Sequence, residues 1–202
     1  MTSAPRVGVL SLQGDVREHL VALEASGART SMVRTREDLA EVDALVIPGG
    51  ESTTMSKLAL LFDLMLPLRE AVAAGMPMYG SCAGLIMLAD RIEDGRPDQE
   101  TIGGIDITVR RNAFGRQVDS FEIPITIEAI GPQPFDGVFI RAPWVEQVGP
   151  GVQVLARIEQ GPRAGTIVAV QHEGLLATSF HPEITGDHRV HQFFVESVRQ
   201  RA

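Results

Sequence analysis

Met76-Pro77-Met78-Tyr79-Gly80-Ser81-Cys82-Ala83-Gly84 starts as a short apolar strand and ends in small residues around a cysteine. Leu85, Ile86, Leu88 and Ala89 follow at a spacing that predicts a helix. A strand that feeds straight into a helix is the building unit of an α/β sheet. Glycines on both sides of Cys82 let the chain turn abruptly while presenting the central side chain.

The segments before this elbow repeat the alternation. Val7 to Leu12 is apolar without polar interruption, as in a strand covered on both faces. Asp15 caps a predicted helix that runs to Ser26, with Val16, Leu20 and Leu23 on one face, and Gly27 ends it. Met32-Val33 makes a short second strand, Glu37-Asp38-Leu39 an acidic turn, and Ala44 to Ile47 a buried strand that stops at Pro48-Gly49-Gly50. Ser52-Thr53-Thr54 then starts a helix with Met55, Leu58, Ala59 and Phe62 on its apolar side, and a second helix from 66 to 74 ends at Gly75. Strand and helix in alternation predict a covered parallel sheet.

Beyond the elbow the pattern changes. Residues 94–100 read as an exposed loop, Ile105 to Val109 as a half-buried strand, and Arg110 to Arg116 as a connection. Phe121 to Ile130 alternates, with Pro124 arguing against a central position. Val138–Ile140, 152–158, Thr166–Val170 and Leu175–Phe180 add strands, arranged as hairpins beside the parallel core, and Val190, Phe193, Phe194 and Val198 mark a closing helix.

Composition narrows the classes. At 202 residues, 44% hydrophobic and 22% charged, the chain can bury one sizeable core, and residues 1–202 read as a single domain without repeats or a linker. Eighteen Lys+Arg against 26 Asp+Glu give a charge of −8, which disfavours a broad nucleic-acid surface. One cysteine excludes an intrachain disulfide and a thiolate-rich zinc site. No export signal and no apolar run near the roughly 20 residues of a membrane span are present, so a soluble, cytoplasmic protein is expected.

The cysteine can do chemistry. A helix N-terminus favours a thiolate at Cys82 and sets the Ala83 N–H near an attacked carbonyl. The competing reading is a buried, inert thiol. His181 follows the last strand at the sheet edge where the elbow should lie, and Glu183, beyond the restricting Pro182, can orient its imidazole. His-Pro-Glu alone also fits a polar turn. In Pro48-Gly49-Gly50-Glu51-Ser52-Thr53-Thr54 the paired glycines can bring backbone N–H groups to a ligand and complete an oxyanion surface with Ala83, although a strand stop followed by a helix cap explains the same residues. Neither the phosphate-loop nor the dinucleotide spacing is present, so no ATP, NAD or flavin is inferred.

Gly80 to Gly84 with His181-Pro182-Glu183 resembles the cysteine elbow and His/Glu pair of class I, or triad-type, glutamine amidotransferases. Further segments narrow the resemblance to the glutaminase subunits of pyridoxal 5′-phosphate synthase: Leu12-Gln13-Gly14 with Glu18-His19, Pro48 to Thr54, Arg110 to Gln117 with Asp119 to Phe121, Phe139 to Pro143, and Gln171-His172. The resemblance implies a three-layer α/β sandwich with a mostly parallel central sheet and additional antiparallel strands. It implies Cys82, His181 and Glu183 as catalytic triad, and Gly49, Gly50 and Ala83 as backbone donors to glutamine and its oxyanion. Glu51, Ser52, Arg110 and Arg141 become candidates for glutamine recognition or site ordering, Arg141 foremost because a guanidinium pairs with a carboxylate; the competing reading of both arginines is surface solubility. Gln13 is expected near the oxyanion region and a partner interface, His19 and His172 in structural or interface roles, and His188 and His191 outside catalysis.

The same resemblance implies L-glutamine as substrate and no metal or cofactor. Ammonia would pass to a separate (β/α)₈-barrel synthase subunit, which combines it with ribose 5-phosphate and glyceraldehyde 3-phosphate, so that pyridoxal 5′-phosphate is a product. The implied assembly is a synthase dodecamer carrying up to twelve glutaminases, with docking organising the glutaminase site. Two alternatives stay open: a glutaminase serving another synthase, and a noncatalytic regulatory or interaction module on the same fold.

Overall fold

A computed structural model describes residues 4–111, 113 and 120–201. Most of the Arg110–Gln117 and Asp119–Phe121 motif lies outside the described residues. The parallel half contains β1 (Arg6–Leu10), α1 (Val16–Ala25), β2 (Arg29–Val33), α2 (Arg36–Ala40), β3 (Ala44–Ile47), α3 (Ser52–Leu61), α4 (Met65–Ala73), β4 (Met78–Ser81) and α5 (Ala83–Leu88). There follow β5 (Ala89–Glu93), β6 (Ile105–Arg110), β7 (Ser120–Ile125), β8 (Phe135–Ile140), β9 (Trp144–Val148), β10 (Gln153–Arg157), β11 (Ile167–His172), β12 (Leu175–Thr178) and α6 (Arg189–Arg201).

The main sheet has the order β2-β1-β3-β4-β12-β11-β9-β6-β5, with β10 paired to β11. From β2 through β12 every pairing is parallel, whereas β11 meets β12, β9 and β10 antiparallel. This is a mostly parallel sheet with added antiparallel strands.

Strand periodicity explains why it is covered on both sides. In β3, Leu45 and Ile47 join a cluster with Met55, Leu68 and Leu85 of α3, α4 and α5, while Ala44 and Val46 point the other way, to Leu23 of α1 and Phe194 of α6. All four β3 side chains are buried. Each fully buried Val, Leu or Ile contributes about 1.5–3 kcal/mol, which favours the three-layer arrangement over one with an exposed face.

β7 and β8 form a separate two-stranded ribbon. Pro124 sits there opposite Asp136, where a residue without an N–H is tolerated at an edge. Phe135 and Phe139 of β8 pack on Phe180 with ring centroids 5.5 and 5.8 Å apart. The ribbon is thereby fastened beside His181, whose N–H donates to the Val138 carbonyl at 2.9 Å.

Several local expectations change. Glu37-Asp38-Leu39 belongs to the helix α2, because Thr35 and Asp38 form a reciprocal capping box. Phe62 is 56% exposed, since α3 ends one residue earlier. Asp15 occupies the N-cap position of α1 without making a side-chain cap bond. The apolar run after the elbow stays helical only to Leu88 and then becomes β5. Among the described residues, no helix is long and apolar enough to cross a membrane.

Candidate active site

The elbow is built by two glycines and one strained residue. A side chain added at Gly80 would lie 2.4 Å from the Gly84 backbone, and one at Gly84 only 2.1 Å from the Ile47 carbonyl oxygen. β4 and α5 can therefore meet without an intervening loop only when both positions lack a Cβ. Between them Cys82 adopts φ 49°, ψ −101°. Such a conformation costs a non-glycine residue about 1–3 kcal/mol and persists only where its surroundings hold it. The Cys82 N–H is held by the Thr178 carbonyl at 2.8 Å. Its Sγ lies 3.9 Å from the Ile140 carbonyl oxygen, and the residue is 6% exposed.

Sheet register brings the histidine to the cysteine. β12 runs parallel to β4 with Thr178 opposite Ser81, so the chain leaving β12 arrives at the edge where the elbow stands. Pro182 begins a 3-10 turn over Pro182–Ile184. That turn sets Glu183 Oε1 2.7 Å from His181 Nδ1. With Nδ1 engaged, Nε2 is the nitrogen left for proton traffic with the thiol. Burial opposes the charged imidazole, yet Asp15, Cys82 and the hydrogen-bonded Glu183 around it outweigh that cost and raise the His181 pKa. Burial raises the Glu183 pKa as well, against the pull of His181. The two shifts describe one proton held between buried partners, with the histidine the stronger base.

The glycine-rich segment lies against this pair. A Cβ on Gly49 would be 2.4 Å from His181 Cε1, and one on Gly50 2.2 Å from Gln13 Nε2. Gln13 clamps the next residue, accepting the Glu51 N–H at 3.2 Å and donating to its carbonyl at 3.3 Å. Glu51 caps α3 by accepting from the Thr53 and Thr54 amides at 3.1 and 2.7 Å. Burial works against its charge, but the Thr54 and Thr53 hydrogen bonds hold its pKa down to about 2.

Cys82 opens into a cleft of about 170 Å³ walled by Gly50, Glu51, Ser52, Ala83, Arg111 and Arg141. That is smaller than the roughly 300–1,000 Å³ of drug-sized sites and suits an amino acid better than a nucleotide. Arg141 reaches it from a backbone with φ 43°. The Ser52 hydroxyl accepts from Gln99 Nε2 at 3.0 Å, so the 94–100 loop folds back onto the cleft.

Arg110 stands apart from the cleft: its guanidinium is paired with Glu93, Asp94 and Glu146. The next residue, Arg111, lines the cleft and pairs with Glu51 at 2.9 Å. β6 ends at Arg110 and Arg111 begins the turn after it, so the adjacency of two arginines carried the signal, but choosing between them needed the structure. Trp144, just after the rim residue Pro143, donates its indole N–H to Glu146 at 2.8 Å, and the Arg163 guanidinium lies 4.9 Å over its ring.

Behind the elbow, His19 Nε2 lies 2.9 Å from Ser81 Oγ and its Nδ1 2.9 Å from His191 Nε2. His172 stands elsewhere, with Nδ1 3.2 Å from the Gly151 carbonyl oxygen. Asp15, His181 and Glu183 bring one ligand atom each within 4.8 Å of one another, the group among the described residues dense enough to consider for a metal. The hydrogen bond between His181 Nδ1 and Glu183 occupies the atoms a metal would take, so the arrangement fits proton chemistry better.

This architecture is that of class I glutamine amidotransferases. A crystal structure of a glutamine amidotransferase superposes with a TM-score of 0.87 at 46% identity, covering 95% of this chain and 98% of the other. PurLQS from Thermotoga maritima shares the fold at a TM-score of 0.69 and 18% identity, covering 98% and 99%. The chain belongs to the SNO glutamine amidotransferase family, whose profile matches residues 9–200. Among its relatives, a "Pyridoxal 5'-phosphate synthase subunit PdxT" of Kineococcus radiotolerans is 62% identical over 204 residues, covering 100% of this chain and 99% of that one. The protein of the same name from Streptomyces griseus is 63% identical over 199 residues, covering 98% of each.

Proposed function

We propose that this chain hydrolyses L-glutamine and hands the ammonia to a separate synthase subunit that makes pyridoxal 5′-phosphate. The observation that carries the reading is Cys82 on a strained elbow, open to an amino-acid-sized cleft, beside a histidine whose far nitrogen is held by Glu183. The partner and product rest on relatives more than 60% identical along their whole length.

In this mechanism the Cys82 thiolate attacks the side-chain amide carbon of glutamine, forming an S–C bond. The C–N bond breaks, and His181 gives its proton to the departing ammonia. Water then attacks the γ-glutamyl thioester, His181 takes the proton, and glutamate leaves with the thiol restored. Glu183 keeps the imidazole oriented and offsets its charge. Gly49, Gly50 and Ala83 supply N–H groups to the oxyanion, each such donor being worth about 3–4 kcal/mol in enzymes of this kind. Arg141 and Arg111, rather than Arg110, grip the glutamine carboxylate, with Glu51 and Ser52 shaping the cleft. Gln13 sets the position of the oxyanion segment.

The test is reconstitution with the synthase subunit, measuring glutamate release and pyridoxal 5′-phosphate formation from glutamine. Cys82→Ala should abolish glutamate release while leaving the complex intact; full activity in that variant would remove the cysteine from the mechanism. Rapid hydrolysis with a different acceptor enzyme and none with this synthase would redirect the ammonia elsewhere.

A further inference from the structure

We propose that Asp15 is a second carboxylate for His181, a positioning residue that sets negative charge beside the Nδ1 engaged by Glu183 and keeps the imidazole turned toward Cys82. The proposal rests on the reading of Cys82, His181 and Glu183 as the hydrolytic set.

Asp15 stands where an aspartate ordinarily accepts from the first-turn amides of a helix, an interaction worth about 1 kcal/mol. It makes no such bond. Its Oδ2 is instead 3.4 Å from His181 Nδ1, the nitrogen that Glu183 Oε1 reaches at 2.7 Å. Forgoing a cap is unfavourable unless the carboxylate is better used elsewhere, and the imidazole is the group it faces.

The backbone holds it there. The Asp15 N–H donates to the Gly49 carbonyl at 3.2 Å. Gly14, at φ 98°, comes so near that a Cβ would lie 1.8 Å from that same oxygen. Asp15 is thus tied by its amide to the glycine segment and aimed by its side chain at the histidine packed on that segment. Any shift of Gly49 is transmitted to both.

The two carboxylates are not equivalent. The Glu183 side chain is fully buried, whereas that of Asp15 is 42% exposed. A buried carboxylate holds geometry well but loses solvation when ionised; a half-exposed one keeps water around its charge. Glu183 therefore fixes the ring, and Asp15 adds negative charge at lower desolvation cost. The charged or titratable groups facing His181 are Asp15 from the loop before α1, Glu183 from the turn after β12, Cys82 from the elbow and His19 from α1.

Glutamine hydrolysis by the complex with the synthase subunit, followed across pH, tests this with Asp15→Asn, Glu183→Gln and the double variant. Asp15→Asn should lower kcat about three- to tenfold at unchanged KM, within the range of an acid–base contribution. It should also move the alkaline limb of the rate profile to lower pH, because a lost negative charge makes the imidazolium easier to deprotonate. In the Glu183→Gln background the same change should cost at least tenfold more than it does alone, since one carboxylate backs up the other. Asp15→Ser, which can cap α1 but carries no charge, separates helix stability from catalysis and should match Asp15→Asn. Equal fold-losses in both backgrounds with an unmoved alkaline limb would overturn the role of Asp15 and leave the hydrolytic set standing. Full activity of Cys82→Ala would instead defeat the hydrolytic set, and this proposal with it.

Discussion

Arg110 and Arg111 are chain neighbours sent to different tasks where β6 ends and a turn begins. Three carboxylates occupy the Arg110 fork, while Arg111 joins Glu51, Thr53 and Gln99 at the cleft wall. Arg111→Ala is expected to raise the KM for glutamine about tenfold, the cost of one lost charge-assisted contact at about 1.4 kcal/mol. Arg110→Ala should leave KM within about twofold. Steady-state kinetics of the two variants decides it: a larger KM effect from Arg110→Ala would reverse the assignment. At this scale Cys82 was legible because glycines and small residues frame it, and His181 because it ends a strand. Asp15 was not, since its position ahead of a helix reads as a cap, and only the fold shows the carboxylate turned away.

Elements meet at the elbow with no spare space. Gly84→Ala would drive a methyl to within 2.1 Å of the Ile47 carbonyl oxygen, between two parts of the core that are both fully packed. Overpacking of this kind costs about 1–3 kcal/mol, so the urea midpoint should fall with the slope unchanged. A variant with wild-type stability would show that α5 can slide, which the packing does not allow. Strands β1, β3, β4 and β12 were readable because burial on both faces leaves unbroken apolar runs. β5 and β9 were not: Ala89–Glu93 follows a helical apolar run directly, and Trp144–Val148 has one buried side chain, Val145. Their pairing partners, not their own composition, make them strands.

For the molecule as a whole, buried histidines set the response to acid. Burial, then the neighbouring His191 and His181, holds the His19 pKa well below 6.5, and burial followed by His188 holds that of His191 at about 3. Between about pH 6.5 and 4.5 the unfolded chain therefore binds a proton at His191 that the folded chain does not, and His19 acts in the same direction. Glu183, raised by burial, works in the opposite direction. His181, raised, is protonated in both states there and stays silent. The uptake of about one proton at His191 on unfolding makes stability fall by about 1.4 kcal/mol per pH unit on acidification. Denaturation at pH 6.5 and 5 reads the slope, and His191→Gln, which does not titrate, should flatten it; an unchanged slope would place the uptake elsewhere.

The indole at the rim has an optical consequence. The sequence contains a single tryptophan, Trp144, and its ring is tied to Glu146, which also holds Arg110, while Arg163 covers its face. Emission excited at the indole band therefore arises from one place, one residue from the cleft wall. The chain carries its own fluorophore for following a ligand or a docking subunit at that rim, without a label and without a competing signal from the core.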